Sequence, residues 1–361
     1  MKRARFNPPN GEAFAKALRK RVNLYFKENN IKKTGNWNLY SKTIILFLAY
    51  FTPWVCILIF SPMPWYIYFP LWMSMGLGMA GIGFSVMHDA VHESYSTNRT
   101  LNKYVGEISM FLVGGFAANW RIQHNQLHHT YTNVHELDND IMPPFLLRFS
   151  PDYPKIWLHK FQFLYAWFFY GLLTLSWVGA KDFQQIIRFR KDGFYDNKDK
   201  EYRTELMKLV AFKIIYMTLF LVLPTLLTPY SFWMVLAGFL AMHFFAGVMI
   251  SMVFQPAHVT TSTEFPKVNG DDVIEDSWAE IQVKTTQNFA MSNKPLSWYI
   301  GGLNFQIEHH LFPNISHVHY KKLSPIVQEV AKEFDLPYFN LPSFRAALLD
   351  HSKMLYRLGR D

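Results

Sequence analysis

An all-α integral membrane protein, with four spanning helices arranged as two hairpins, is the fold class this sequence predicts. Three observations carry that prediction. The 361 residues are half hydrophobic, 17% are aromatic and 17% are charged, where a soluble domain averages about 25% charged residues. Four apolar runs occur in two pairs, each pair joined by a tight turn. Histidines cluster just beyond the ends of these runs. The mean hydropathy is close to zero, which fits a chain divided between lipid and water. General disorder is excluded, because there is ample apolar surface to bury. A single cysteine, Cys56, excludes a disulfide scaffold.

Residues 1–42 form a basic segment carrying Lys2, Arg3, Arg5, Lys16, Arg19, Lys20, Arg21, Lys27, Lys32, Lys33 and Lys42. It is too long and polar for a secretory signal, and its stretch 19–31 reads as a surface helix. The first span is expected over 43–60, since about 20 apolar residues cross a bilayer. The turn 61–64 (SPMP) leads to the second span, 65–87, where Gly76, Gly78, Gly81 and Gly83 permit close helix approach. The second hairpin comprises 209–227 and 230–254, joined at Thr228 and Pro229. Between the hairpins, 161–180 is also long enough to span. However, neither tight turn carries Lys or Arg, whereas residues 1–42 and the stretch after Ala180 are rich in both. The positive-inside rule puts both basic segments in the cytoplasm, so 161–180 is expected to lie in the interface. The net charge of +9 reads as membrane-adjacent, and no nucleic-acid motif is present.

The histidines form three clusters: His88-Asp89-Ala90-Val91-His92, His124-Asn125-Gln126-Leu127-His128-His129 and Gln306-Ile307-Glu308-His309-His310. On an α-helix, positions four apart share a face. His88 and His92 therefore point together, as do His124 and His128, with His129 one residue round. His258 follows the fourth run, on the same predicted side. Neutral imidazole suits iron, zinc, copper and nickel. Eight histidines with Gln306 exceed one tetrahedral zinc site and suit two metal ions at a membrane surface.

These motifs and their flanks resemble the membrane fatty acid desaturases. HDAVH, HNQLHH and QIEHH match that family's three histidine boxes in order and type. Trp120, HHTYTN and GGLNFQIEHHLFPNISHVHY match the flanks, and the likeness covers roughly residues 40–345. Glutamine opening the third box resembles the front-end and acyl-lipid branch. The resemblance implies four spans carrying a helical cytoplasmic cap that holds a dinuclear iron site. By position, His88, His92, His124, His128, His129, His258, His309 and His310 would be ligands, and Gln306 a ligand or close neighbour. It also implies an oxygen-dependent oxidoreductase that removes two hydrogens from an acyl chain linked to CoA, carrier protein or phospholipid, with water as the other product. The fused cytochrome b5 of many front-end enzymes, with its His-Pro-Gly-Gly motif, does not occur here. A separate donor, ferredoxin or free cytochrome b5, is therefore expected. Residues 43–345 would form the desaturase domain and 346–361 a C-terminal tail.

Metal-bound imidazoles usually donate their second N–H to an oxygen acceptor. Asp89, Glu93, Asp138, Asp140, Asn304 and Glu308 lie beside the boxes and are the expected partners. His135, His317 and His319 fall outside the motif positions and read as supporting residues. His243, deep in the fourth run, is expected to make an interhelical hydrogen bond. No residue is singled out as a substrate contact. A histidine-box hydroxylase or ketolase acting on a lipid, sterol or carotenoid is the alternative within the same chemistry. A metal transporter would instead distribute polar groups along its spans.

Overall fold

The computed structural model describes residues 4–8, 11–142 and 145–361; Lys2 and Arg3 of the basic segment lie outside them. The chain is mostly helical, and it is a membrane protein. Four helices are long and apolar enough to span: Trp37–Ile59, Trp65–Val91, Asp199–Leu227 and Phe232–His258. Each overlaps an expected run and continues beyond it at one end only. The added residues carry Lys42, His88, Asp89, Lys200, Arg203, Lys208 and His258. Hydropathy registers only the apolar stretch; intrahelical hydrogen bonding carries each helix past it. The cap residues agree with these ends: the Asn36 side chain accepts from Asn38 N–H, and that of Ser231 from Met234 N–H.

The two hairpin tips meet. Tyr230 Oη accepts from Met63 N–H at 2.6 Å and donates to the Met63 carbonyl at 3.1 Å, and the Tyr68 and Tyr230 rings lie 4.5 Å apart. The far ends of Trp65–Val91 and Phe232–His258 carry His88 and His258, so one end of the bundle collects the histidines. Trp65–Val91 is the central helix. Some 67% of its apolar window is buried, against 22% for Trp37–Ile59. The outer helices expose Ile44, Leu48, Val55, Ile214 and Leu226, as an apolar solvent requires.

Two of the four glycines expected to allow close packing do so on opposite faces of the central helix. A Cβ on Gly78 would lie 2.7 Å from Tyr50 N, and one on Gly76 would lie 2.6 Å from the Met242 carbonyl. Gly81 would press on the Leu46 side chain, whereas Gly83 meets nothing closer than 3.6 Å.

The stretch expected as one interfacial helix is two helical bodies, Trp157–Gly171 and Leu173–Lys191, bent by 56° at Leu172. The bend follows from packing. A Cβ on Gly247 would lie 2.7 Å from the carbonyls of Tyr170 and Gly171, so the fourth spanning helix crosses the bend at backbone contact. The residues set apart as a tail form the helix Phe344–Leu358. It is anchored by His351 Nε2 to Tyr170 Oη at 2.6 Å and by Gln162 Nε2–H to the Leu355 carbonyl at 2.9 Å.

Over the histidine end lies a further helical layer. The helix Ala13–Glu28 starts earlier than the 19–31 expected and buries Phe14, Leu18, Val22 and Phe26. These side chains share a core with Ile307 and Leu311 of Gln306–Leu311 and with Leu323, Val327 and Val330 of Tyr320–Glu333. Two short parallel strand pairs tie loops to this layer: Arg5–Phe6 with Val273–Ile274, and Asn288–Phe289 with Asn340–Leu341.

The glycine geometry makes a paired prediction. Gly78→Ala forces the central helix off Tyr50 and is expected to destabilise the protein by about 1–3 kcal/mol, the usual range for overpacking. Gly83→Ala, with room for a methyl and better helix propensity, is expected to be neutral or mildly stabilising. Thermal unfolding in detergent, followed by fluorescence, compares the two.

Candidate metal centre

The first box is delivered by the central helix. Residues Ile82–Met87 form a π-helical turn that runs into His88–Val91. The second box follows Ala117–Trp120 and is itself π-helical over Arg121–His128. There His129 N–H bonds the His124 carbonyl, five residues back, at 3.0 Å. The α-helical spacing assumed from sequence would leave His129 one residue round from its neighbours. The wider turn instead brings His124, His128 and His129 to one place, with ring centroids 4.7 to 5.6 Å apart. Such turns recur at functional sites. The third box forms the short helix Gln306–Leu311 after a turn in which Gly301 and Gly302 have φ near +60°. A Cβ on Gly301 would lie 2.4 Å from the Phe84 carbonyl, so only glycine lets this turn close on the π-helical segment before the first box.

All eight box and post-span histidines converge, every one buried. Three overlapping histidine groups are visible. His88, His92, His124 and His309 each offer a ring nitrogen, and these lie within 4.8 Å of one another. His128, His258 and His310 form a second such group, and His129 joins His309 and His310 in a third. Trp120 stacks on His124 with centroids 4.1 Å apart.

Outward hydrogen bonds orient the rings. His124 Nδ1–H donates to Asp140 at 2.8 Å, and His128 Nδ1–H to Asp138 at 2.9 Å. His310 Nδ1–H donates to Gln282 Oε1 at 2.8 Å, and His258 Nδ1–H to the Thr285 carbonyl at 3.3 Å. His309 Nδ1 meets Tyr320 Oη at 3.1 Å. A ring that donates outward from Nδ1 keeps its Nε2 lone pair inward. The Nε2 atoms of His88, His92, His258, His309 and His310 are buried without a protein partner among the described residues, as is Nδ1 of His129. Both amide atoms of Gln306 are in the same condition.

Electrostatics keeps most of these rings neutral. Burial and neighbouring imidazoles hold His92, His124, His129, His309 and His310 well below the usual histidine range. His128 is the exception. Burial presses it down, but the carboxylates of Asp138 and Asp140 outweigh that and raise it. Buried, neutral, inward-facing imidazoles are a donor set suited to borderline transition metals, and their orphaned nitrogens fit cations at this place.

Of the expected acidic partners, Asp138 and Asp140 meet cluster histidines. Asp89 instead accepts from Ser316 Oγ at 2.5 Å and lies 3.0 Å from His317 Nδ1, clasping the first box to the stretch after the third. Glu308 accepts from Tyr338 Oη at 2.7 Å and Asn288 Nδ2 at 2.9 Å; burial pushes its carboxyl up to about 7. The buried Asn304 donates to the Ala290 carbonyl at 3.3 Å. Glu93 is exposed, 3.8 Å from Arg99, and the structure does not bring it to the cluster. His135 meets Tyr153 edge-to-face. His317 meets Lys42 Nζ at 2.8 Å and His319 the Thr34 carbonyl at 3.3 Å. His243 bonds Tyr216 Oη and Thr174 Oγ1, both at 3.0 Å, the interhelical link expected of it. Gln282 and Tyr320 were not singled out from sequence. Tyr320 closes the matched flank, while Gln282 stands in the helix Trp278–Lys284 with no local signal.

Beside the cluster lies a cavity of about 830 Å³, reached by His124, His128 and His258. Its walls are the bent helices, through Phe169, Leu172 and Leu173, and the fourth spanning helix, through Ile250 and Phe254.

Comparison with known proteins agrees with this geometry. The model of the fatty acid desaturase family matches residues 63–342. The chain is 34% identical to the sn-1 linoleoyl-lipid 6-desaturase of Synechocystis sp., covering 96% of each chain. It is 34% identical to the protein of that name from Arthrospira platensis, over 96% of this chain and 92% of the relative. It is also 34% identical to the acyl-lipid (8-3)-desaturase of Physcomitrium patens, over 96% and 72% respectively.

The outward bonds yield a prediction. Asp138→Asn removes the carboxylate that fixes the His128 tautomer, and is expected to weaken metal retention about 10–100-fold, the usual effect of such partners. Chelator competition on the purified protein, read by elemental analysis, measures it; Glu93→Gln is expected to change nothing.

Proposed function

The chain belongs to the fatty acid desaturase family, and from that premise we propose that its histidines hold two iron ions and that its substrate is an acyl chain carried on a membrane lipid. The activity itself is that of a fatty acyl desaturase, an oxidoreductase that converts two adjacent methylenes to a double bond. The observation that carries the metal reading is the buried histidine cluster, in which the Nε2 atoms of His88, His92, His258, His309 and His310 have no partner among the described residues.

One ion would be held by residues from the group His88, His92, His124 and His309. The other would be held from the group His128, His258 and His310, with His129 between them and Gln306 as a further donor. When bound, the ions would supply the reduction of dioxygen and the cleavage of unactivated C–H bonds, which no side chain performs. The rest falls to the protein. Asp138, Asp140, Gln282 and the Thr285 carbonyl hold Nδ1 protons outward and lone pairs inward. Phe169, Leu172, Leu173, Ile250 and Phe254 give the acyl chain an apolar slot that leads to His124, His128 and His258 and excludes water from it. Electrons come from a separate acidic donor protein, ferredoxin or free cytochrome b5, attracted to the basic residues of 1–42.

The lipid-linked substrate is supported by the relatives, which are named for acyl-lipid desaturation. The basic segments flanking the histidine end support a cytoplasmic active site, with the helical layer above it as a cap on a desaturase domain of residues 43–345.

Expression in a host supplying ferredoxin and cytochrome b5, followed by lipid mass spectrometry, tests the activity. A new double bond is expected, absent in His309→Ala. Two irons per purified chain are expected, and none would overturn the metal reading. Single cysteines at Ser61 and Thr228, in a Cys56→Ser background, are expected to react with an impermeant thiol reagent from outside; labelling from the cytoplasm would reverse the orientation.

A further inference from the structure

The acyl slot has a second, polar wall. Lys181 and Arg188 line the same cavity as His124 and His258, together with Gln123, Gln184 and Gln185. Lys181 ends the π-helical turn Trp177–Lys181, and its ammonium stands 5.7 Å from the Trp177 ring centroid. No carboxylate lies within ion-pair distance of it among the described residues. The neighbouring Asp182 is already engaged by Lys213 at 2.6 Å. Arg188 donates one nitrogen to Asn139 and pairs loosely with Asp192 at 3.9 Å; its buried Nε has no hydrogen-bond partner among the described residues.

Lys181 and Arg188 form a cationic lip on this cavity beside one lining carboxylate, Asp140; Arg188 has Asp192 at 3.9 Å, whereas Lys181 has no carboxylate at that range among the described residues and is suited to anionic oxygen. This lip is connected to the metal centre. Gln185 donates to Gln123, Gln123 donates to Asp140, and Asp140 accepts from His124 at 2.8 Å. The cavity therefore brings together an apolar slot, a histidine wall and a cationic lip. Lys181 is half-buried and lines this cavity.

We propose that Lys181, assisted by Arg188, binds the anionic head of the lipid that carries the acyl chain, so that the enzyme selects acyl groups on anionic glycerolipids. This rests on the lipid-linked substrate reading above, and it adds the head-group charge and the residues that read it. Phosphate and sulfonate oxygens satisfy the lip equally, since both present charged acceptors to N–H donors.

Binding without turnover provides the test. The full chain in neutral detergent is titrated with phosphatidylglycerol and phosphatidylcholine bearing the same fluorescent polyene acyl chain. Phosphatidylglycerol is expected to bind about ten-fold tighter, the scale of one charge-assisted contact. Lys181→Gln is expected to erase that preference and leave phosphatidylcholine binding within about two-fold, while Lys181→Arg retains it. Equal loss for both lipids would mark Lys181 as structural, and no preference in the wild type would overturn the proposal. sn-Glycerol 3-phosphate is the control for a free phosphate. Displacement of the lipid at matching concentrations would assign the lip to a soluble anion instead. Because no step of this assay needs catalysis, its failure leaves desaturation untouched, and failure to desaturate leaves the binding result standing.

Discussion

Eight imidazoles share one buried place, and they must stay largely uncharged to do so. Protonating any one costs desolvation and repulsion from its neighbours, so the cluster cannot satisfy its inward nitrogens by taking up protons. Much of the surrounding architecture answers that constraint. Carboxylates, a glutamine, a carbonyl and a tyrosine hold the outer ring nitrogens and fix which nitrogen faces in. His128, the ring with two carboxylates beside it, is the one whose proton affinity rises. The arrangement is a set of inward acceptors compatible with cations, maintained by hydrogen bonds that point outward.

Bringing eight rings together from distant stretches of chain requires rigid carriers and local departures from regular geometry. The carriers are helices that outrun their apolar segments. Trp65–Val91 and Phe232–His258 each extend beyond the hydropathic boundary by about a turn, and those turns hold His88 and His258. The departures are the π-helical stretches at Ile82–Met87 and Arg121–His128 and the left-handed glycine turn at Gly301 and Gly302. The wide turn at the second box converts a sequence doublet, which on an α-helix would diverge, into two inward-facing rings. The Asp89 clasp to Ser316 and His317 then locks the first box against the segment that follows the third.

This division explains what could be read from the sequence. The apolar runs and the glycines of the central helix were legible because hydropathy and small-residue spacing act locally. The candidate donors were legible because each box gathers them within a few residues. Helix ends were not, since intrahelical hydrogen bonding continues where hydropathy stops. The bend at Leu172 was also hidden. It depends on Gly247 meeting the Tyr170 and Gly171 carbonyls, a contact between residues far apart in the chain. Adjacency in sequence proposed Asp138 and Asp140, which bond His128 and His124, yet it proposed Glu93 equally, and Glu93 faces solvent. It passed over Gln282, which reaches His310 from a separate helix. Partners chosen by tertiary packing leave no periodic trace.

The two walls of the cavity have different obligations. The fourth spanning helix contributes Ile250 and Phe254 to the slot and His258 to the cluster, so a change in its position moves both together. The bent helices contribute Phe169, Leu172, Leu173, Lys181 and Arg188 to the cavity and no member of the histidine cluster. The apolar side chains among these, Phe169, Leu172 and Leu173, hydrogen-bond no imidazole and can vary in size without releasing one. The link of the bent helices to the cluster is the polar chain through Gln185, Gln123 and Asp140, which transmits position only at one end of the cavity. The bent helices therefore shape the cavity alone, while the fourth spanning helix shapes the cavity and the cluster together.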